Sequence, residues 1–277
     1  MKRLANLSII TLSMIFIISC TSDNNTNSND GNNTDRSQSN FYLPQIGEIN
    51  YFEDYELDEN DSPIGNPTLS EQLAIGYKTL EGFQTLMFEN LNKETNLKDT
   101  MYLREDSDFL YMYFDSDDIF GGDAEGQTGM IPEFEFEPQW VKISSFTQFN
   151  WKALEVNLPE QEVEFPFGGQ TINVKLKIDM LWDGEKTQGE LFTIKDKNES
   201  IETVKNIINI NIKIDLIVPN LPIKIPGFPR ENKSKLIHNI SKGFGIVQTF
   251  QPTQKQDPND EFSIPIPGNL SKLVDYD

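Results

Sequence analysis

Ile172-Asn173-Val174-Lys175-Leu176-Lys177-Ile178-Asp179-Met180-Leu181-Trp182 decides the fold class of this chain. Ile172, Val174, Leu176, Ile178, Met180 and Trp182 hold the even positions, and Asn173, Lys175, Lys177 and Asp179 fill odd ones. Successive side chains of a strand point to opposite faces, so this pattern predicts an antiparallel strand with one apolar and one wet face. A second run repeats it, with Ile208, Ile210, Ile212, Ile214, Leu216 and Val218 alternating with Asn209, Asn211, Lys213 and Asp215. At about 3.3 Å per residue each run spans roughly 35 Å, longer than an ordinary strand. Apolar faces of that length need an extended partner. The expected fold is therefore all-β and mainly antiparallel, a large curved sheet or open half-barrel with few short helices.

Working outward, Trp182 to Lys186 reads as a turn at Gly184, and Leu191 to Ile194 as another short strand. Pro219, Pro222, Pro226 and Pro229 define a loop, because proline cannot donate to a central ladder. Leu236 to Ile240 and Phe244 to Phe250 resume strand character; Leu270 to Tyr276 is expected at the sheet edge. On the N-terminal side, Met101 to Leu103 and Phe109 to Phe114 flank the polar turn Arg104 to Asp108 as a hairpin. Tyr77 to Leu80 and Phe83 to Phe88 predict two strands turning at Glu81-Gly82. Asn60 to Pro67, punctuated twice by Pro and Gly, reads as a turn or loop.

The beginning of the chain sets the compartment. Lys2 and Arg3 precede a short apolar run, Leu4 to Ile18, which ends at Ser19-Cys20, the one cysteine in 277 residues. This resembles the lipobox of bacterial lipoproteins, and the resemblance implies that Cys20 is lipidated and becomes the first residue of the mature chain. An apolar run this short, diluted by Asn6, Ser8, Thr11 and Ser13, makes a poor membrane helix. Several acyl chains would anchor the protein in its place. Residues 1 to 19 are thus read as a signal peptide and 20 to 40 as a tether. The stretch from Thr21 to Asn40 offers no apolar side chain to offset the entropy of ordering. Residues 41 to 277 are read as a single β-rich domain.

The chain carries 44 acidic and 23 basic residues; loss of Lys2 and Arg3 would move the net charge from -21 to -23. Nucleic acid is excluded as a partner, since its phosphates need a basic stripe. With Cys20 lipidated, neither a disulfide nor a thiolate ligand remains. His238 is the one histidine, so metal or Ser-His-Asp chemistry would have to converge on it, and no G-x-S-x-G turn accompanies it. Asp115, Asp117 and Asp123 fall close together in a Gly-containing loop and are weak calcium candidates, without EF-hand spacing. No other cofactor is expected. Glu133, Glu135 and Glu137, and likewise Glu162 and Glu164, alternate as the wet faces of strands; a carboxylate-based glycan hydrolase is the least favoured alternative.

Gly243-Phe244-Gly245-Ile246-Val247, with Tyr77 to Gly82, the hairpin 100 to 114 and Leu273-Val274-Asp275-Tyr276, resembles cell-envelope lipoproteins of the Bacteroidetes type. Their fold is similar to that of periplasmic lipoprotein carriers, whose concave sheet binds acyl chains. The resemblance implies an outer-membrane address and no catalytic residues. On this reading the rows Ile172 to Trp182 and Ile208 to Leu216 face a hydrophobic ligand or form core. The expected role is a non-enzymatic envelope lipoprotein, either a hydrophobic-ligand carrier or an accessory protein with a protein partner.

Overall fold

The computed structural model describes residues 36–114, 137–167, 169–219, 225, 228–254 and 268–277. The stretch read as a signal peptide, with Cys20, the calcium candidates Asp115, Asp117 and Asp123, and Glu133 to Phe136 lie outside the described residues. Among those described there is no α-helix, only a 3-10 turn at Arg36–Gln38.

Fifteen strands follow in chain order. They are β1 (Ile49–Leu57), β2 (Pro63–Leu80), β3 (Phe83–Asn92), β4 (Lys98–Glu105), β5 (Phe109–Phe114), β6 (Gln139–Ser145), β7 (Asn150–Asn157) and β8 (Gln161–Phe167). Then come β9 (Gln170–Thr187), β10 (Leu191–Ile194), β11 (Glu199–Glu202), β12 (Val204–Ile217), β13 (Arg230–Ser241), β14 (Gly245–Gln251) and β15 (Gly268–Tyr276). Thirteen belong to one sheet, in the order β6-β5-β4-β3-β2-β1-β15-β14-β13-β12-β9-β7, with β8 added on β9. Every pairing in it is antiparallel.

The sheet curls until its ends meet, giving a nearly closed barrel. One core joins Val141 and Ile143 of β6, Trp151 and Leu154 of β7, Trp182 of β9, Ile208 of β12 and Leu86 and Phe88 of β3. Across the seam the Trp151 indole donates to the Lys142 carbonyl at 2.8 Å, and Ser144 Oγ donates to Asn206 Oδ1 at 3.0 Å.

Four expectations change. β9 does not turn at Gly184 but runs on to Thr187, because Trp151 is Gly184's cross-strand partner and covers the glycine. Pro63 to Pro67 lie within β2, not in a loop; β3 pairs with β2 only from Ser70, so this stretch is an edge where proline costs no ladder bond. β15 sits between β1 and β14, well inside the sheet. The tether's expected end at residue 40 also moves, since Arg36 is already packed into the fold. The turn at Glu81-Gly82 is as expected, with both residues at positive φ, 51° and 83°, the type I′ signature.

Residues 36 to 43 form a strap from the β13–β14 turn to the far side of the sheet. Arg36 is buried, with its Nε 3.1 Å from Glu48, one terminal nitrogen donating to Asn50 Oδ1 at 2.8 Å, and the other donating to the Asp277 carbonyl. Its guanidinium also lies over the rings of Phe244 and Tyr276. Glu105 accepts the backbone N–H groups of Tyr42 and Leu43 at 2.9 and 3.2 Å, and Tyr42 stacks on Phe146. The Gly-Phe-Gly turn completes the grip: Gly243 N–H donates to the Phe41 carbonyl at 2.8 Å and Gly245 N–H to that of Tyr42 at 2.7 Å. Gly243 has φ +75°, and a Cβ there would stand 2.2 Å from the Arg36 carbonyl oxygen. Gly243→Ala therefore meets strain and a backbone clash together, and should cost about 1 to 2 kcal/mol. Hydrogen exchange should show residues 36 to 43 losing protection first; unchanged exchange there would separate the strap from the turn.

Candidate functional site

Val174, Leu176, Ile178, Met180 and Trp182 of β9 are buried, as are Ile208, Ile212, Ile214 and Leu216 of β12; Ile172 and Ile210 are half-buried. The β9–β12 register pairs Ile178 with Ile214, Met180 with Ile212 and Trp182 with Ile210, so the two rows form one continuous apolar surface. It is filled from within the chain. Phe165 of β8, Ile225 and Phe228 pack on its outer half, and the aromatic and aliphatic residues of β3 to β7 cover its inner half. Beyond that packing, a cavity of about 470 Å³ at the far end of the ribbon is lined by Ile172, Val174 and Val218 together with Glu162, Asn173 and Pro219.

A second feature lies on the outside of β3 to β6. Leu103, Leu110, Val141 and Ile143 point into the core, so their alternating neighbours Tyr102, Arg104, Tyr111, Tyr113 and Trp140 lie on the other face, where Tyr111 is buried and Tyr102, Tyr113 and Trp140 are half-buried. Arg104 is the centre of this group. Its guanidinium lies 3.6 Å from the centroid of Tyr111, 4.1 Å from that of Phe83 and 4.9 Å from that of Trp140. Each such contact contributes about 0.5 to 2 kcal/mol depending on desolvation. Tyr113 lies against Trp140 at 4.8 Å, Tyr102 meets Tyr113 edge-on, and Phe83, 45% exposed, forms the rim. Arg104 Nε and Trp140 Nε1 find no acceptor among the described residues. The result is an aromatic cluster on the outer face with an embedded cation. The hairpin was visible in the sequence, but both faces of β5 carry aromatic and apolar side chains, so pattern could not say which one faced out.

The buried polar groups lie elsewhere. His238, on β13, is 3% exposed; its Nδ1 is 3.1 Å from Thr249 Oγ1, and Nε2 has no partner among the described residues. Burial pushes its pKa down to about 4, so the ring is neutral. Among the described residues no carboxylate is hydrogen-bonded to it. Asp54 is pushed up by burial despite hydrogen bonds from Ser271 and Ser70, the latter at 2.5 Å. No group of three or more His, Cys, Asp or Glu able to hold a metal occurs among the described residues.

The arrangement defines a class, an antiparallel near-barrel whose long apolar rows are core and whose outer wall carries aromatic side chains. No family model matches the chain, and no curated protein does. Two solved structures are similar over most of their length. One is a provisionally named lipoprotein of Parabacteroides distasonis, at 15% identity and a TM-score of 0.44, covering 86% of this chain and 98% of that one. The other is a provisionally named exported protein with a YmcC-like fold from Bacteroides fragilis, at 10% identity and a TM-score of 0.39, covering 86% and 99%.

Proposed function

We propose that the chain is a non-enzymatic lipoprotein of the bacterial cell envelope, held at the outer membrane by lipid on Cys20, which engages a protein partner through the outer face of β3 to β6. The observation that carries this reading is the platform around Arg104. Phe83 is exposed, Tyr102, Tyr113 and Trp140 are half-buried around Arg104, and aromatic and arginine side chains of this kind dominate interface hot spots because they bury large area at low entropy cost.

The carrier reading draws on the cavity at the end of β9 and β12. Its lining mixes Ile172, Val174 and Val218 with Glu162 and Asn173, a poor match to an acyl chain.

Crosslinking in the native envelope followed by mass spectrometry tests the proposal. A stoichiometric protein partner is expected, lost in Phe83→Asp and reduced about tenfold or more in Trp140→Ala, since hot-spot truncations cost about 2 kcal/mol or more. Copurified lipid in place of a protein would favour the carrier. Cys20→Ala should release the protein from detergent-phase membranes; unchanged partitioning would remove the lipid anchor from the proposal.

A further inference from the structure

The hairpin β10–β11 stands apart from the large sheet and packs over it. Phe192, Ile194 and Ile201 form a small core with Phe52, Phe244, Val247 and Leu273. Polar contacts hold its edges: Lys195 donates to Glu53 at 2.5 Å, Ser241 to the Glu202 carbonyl at 2.8 Å, and Tyr276 to Glu199 at 2.7 Å. Between hairpin and sheet the packing leaves a cleft of about 510 Å³.

The cleft's floor has a regular chemistry. In register, Glu53 of β1 pairs with Lys272 of β15, Lys272 with Gln248 of β14, and Gln248 with Asn239 of β13. Paired residues share a face, so four polar side chains stand in one row across four strands, about 4.8 Å apart. All four line the cleft, with Glu190, Leu191 and Thr193 of the hairpin side opposite them. Asn239 is the informative member. It is 4% exposed, its Nδ2 donates to Glu190 at 3.4 Å, and its Oδ1 has no partner among the described residues. A buried carbonyl left without a donor costs free energy that a ligand hydroxyl would recover.

We infer that this cleft is a binding site for an uncharged oligosaccharide, distinct from the aromatic platform. Two carboxylates, Glu53 and Glu190, face two ammonium groups, Lys195 and Lys272, so the lining has no net charge with which to select an anion or a cation. Acceptor, donor and two amides follow one another along the row, which suits vicinal hydroxyls that donate and accept in turn. An acyl chain would leave Asn239 Oδ1 and Lys272 desolvated and unpaired. Leu191, 71% exposed, supplies apolar surface for the C–H face of a sugar ring. Lys195 holds Glu53 below the usual carboxylate range, with a further hydrogen bond from Tyr55, so the row keeps its acceptor in mild acid.

The test is an array of neutral oligosaccharides probed with the intact protein, followed by calorimetry with the best-bound sugar. Binding is expected, weakened about tenfold or more by Lys272→Met and by Asn239→Leu and unchanged in Phe83→Asp. Should Asn239→Leu fail to fold, Lys272→Met reads the same cleft from its open side. An array with no bound neutral sugar, or binding that survives Lys272→Met, would overturn the assignment. Binding lost in Phe83→Asp alone would overturn it as well and move the sugar to the platform.

Discussion

Acidification from pH 7 to pH 4 should remove about 3 kcal/mol of folding stability through His238 alone. The folded ring titrates near 4 because it is buried, whereas an unfolded histidine titrates near 6.5. Between those values the unfolded chain binds the extra proton. Stability is therefore fully present above pH 6.5 and falls as pH drops through 4, by about 1.4 kcal/mol per unit within the window. The charged ring would carry an N–H at both nitrogens, and Nε2 has no acceptor among the described residues. Asp54 and Glu105 act with the opposite sign. Burial raises both carboxyls, so the folded state holds their protons more tightly than the unfolded chain, and their contribution grows as pH falls. They offset part of the His238 effect from the ordinary carboxylate range upward, so the histidine's share is read from its own variant. Urea unfolding at pH 7, 6 and 5 should show a steep slope in the wild type and a shallow one in His238→Gln. Equal slopes would assign the acid sensitivity to other groups.

What the sequence made legible was what period and turn chemistry encode locally. The even rows of β9 and β12 announced themselves because one face of each strand is core along nearly its whole length. Glu81-Gly82 was readable because a type I′ turn needs positive φ at both central positions. The departures all depend on residues distant in sequence. Gly184 looks like a turn until Trp151, 33 positions earlier, covers it. β15 looks like a closing edge strand because nothing local reveals that β1, some 220 positions away, is its partner. Arg36 sits in a run of Asn, Ser and Asp whose composition argues for a tether; its anchors are Glu48, Asn50 and the last residue of the chain. The cleft row was illegible for the same reason, since Glu53, Lys272, Gln248 and Asn239 are single polar residues on four strands and become a row only through register.

The seam between β6 and β7 is where a single contact should have its largest mechanical consequence. Trp151 is 6% exposed, lies across Gly184 of β9 and donates to the Lys142 carbonyl of β6. It thus ties together the two strands at which the barrel's sheet path begins and ends. Trp151→Ala removes the ring, the bridge and the cover over the glycine, and should cost about 3 to 5 kcal/mol. Gly184→Ala attacks the same contact from below. A Cβ there would stand 2.1 Å from Trp151 Cε2, so the ring must leave its seat or β9 must bend, at about 1 to 3 kcal/mol. The two changes are predicted to be strongly non-additive. Once the indole is gone the new methyl has room, and alanine is the better strand residue, so Gly184→Ala should become neutral or mildly stabilising in the Trp151→Ala background. A double-mutant cycle by denaturant unfolding should return a coupling of about 1 to 3 kcal/mol. Independent effects that add within error would mean that Gly184 is required for the backbone of β9 itself and not for the ring that rests on it.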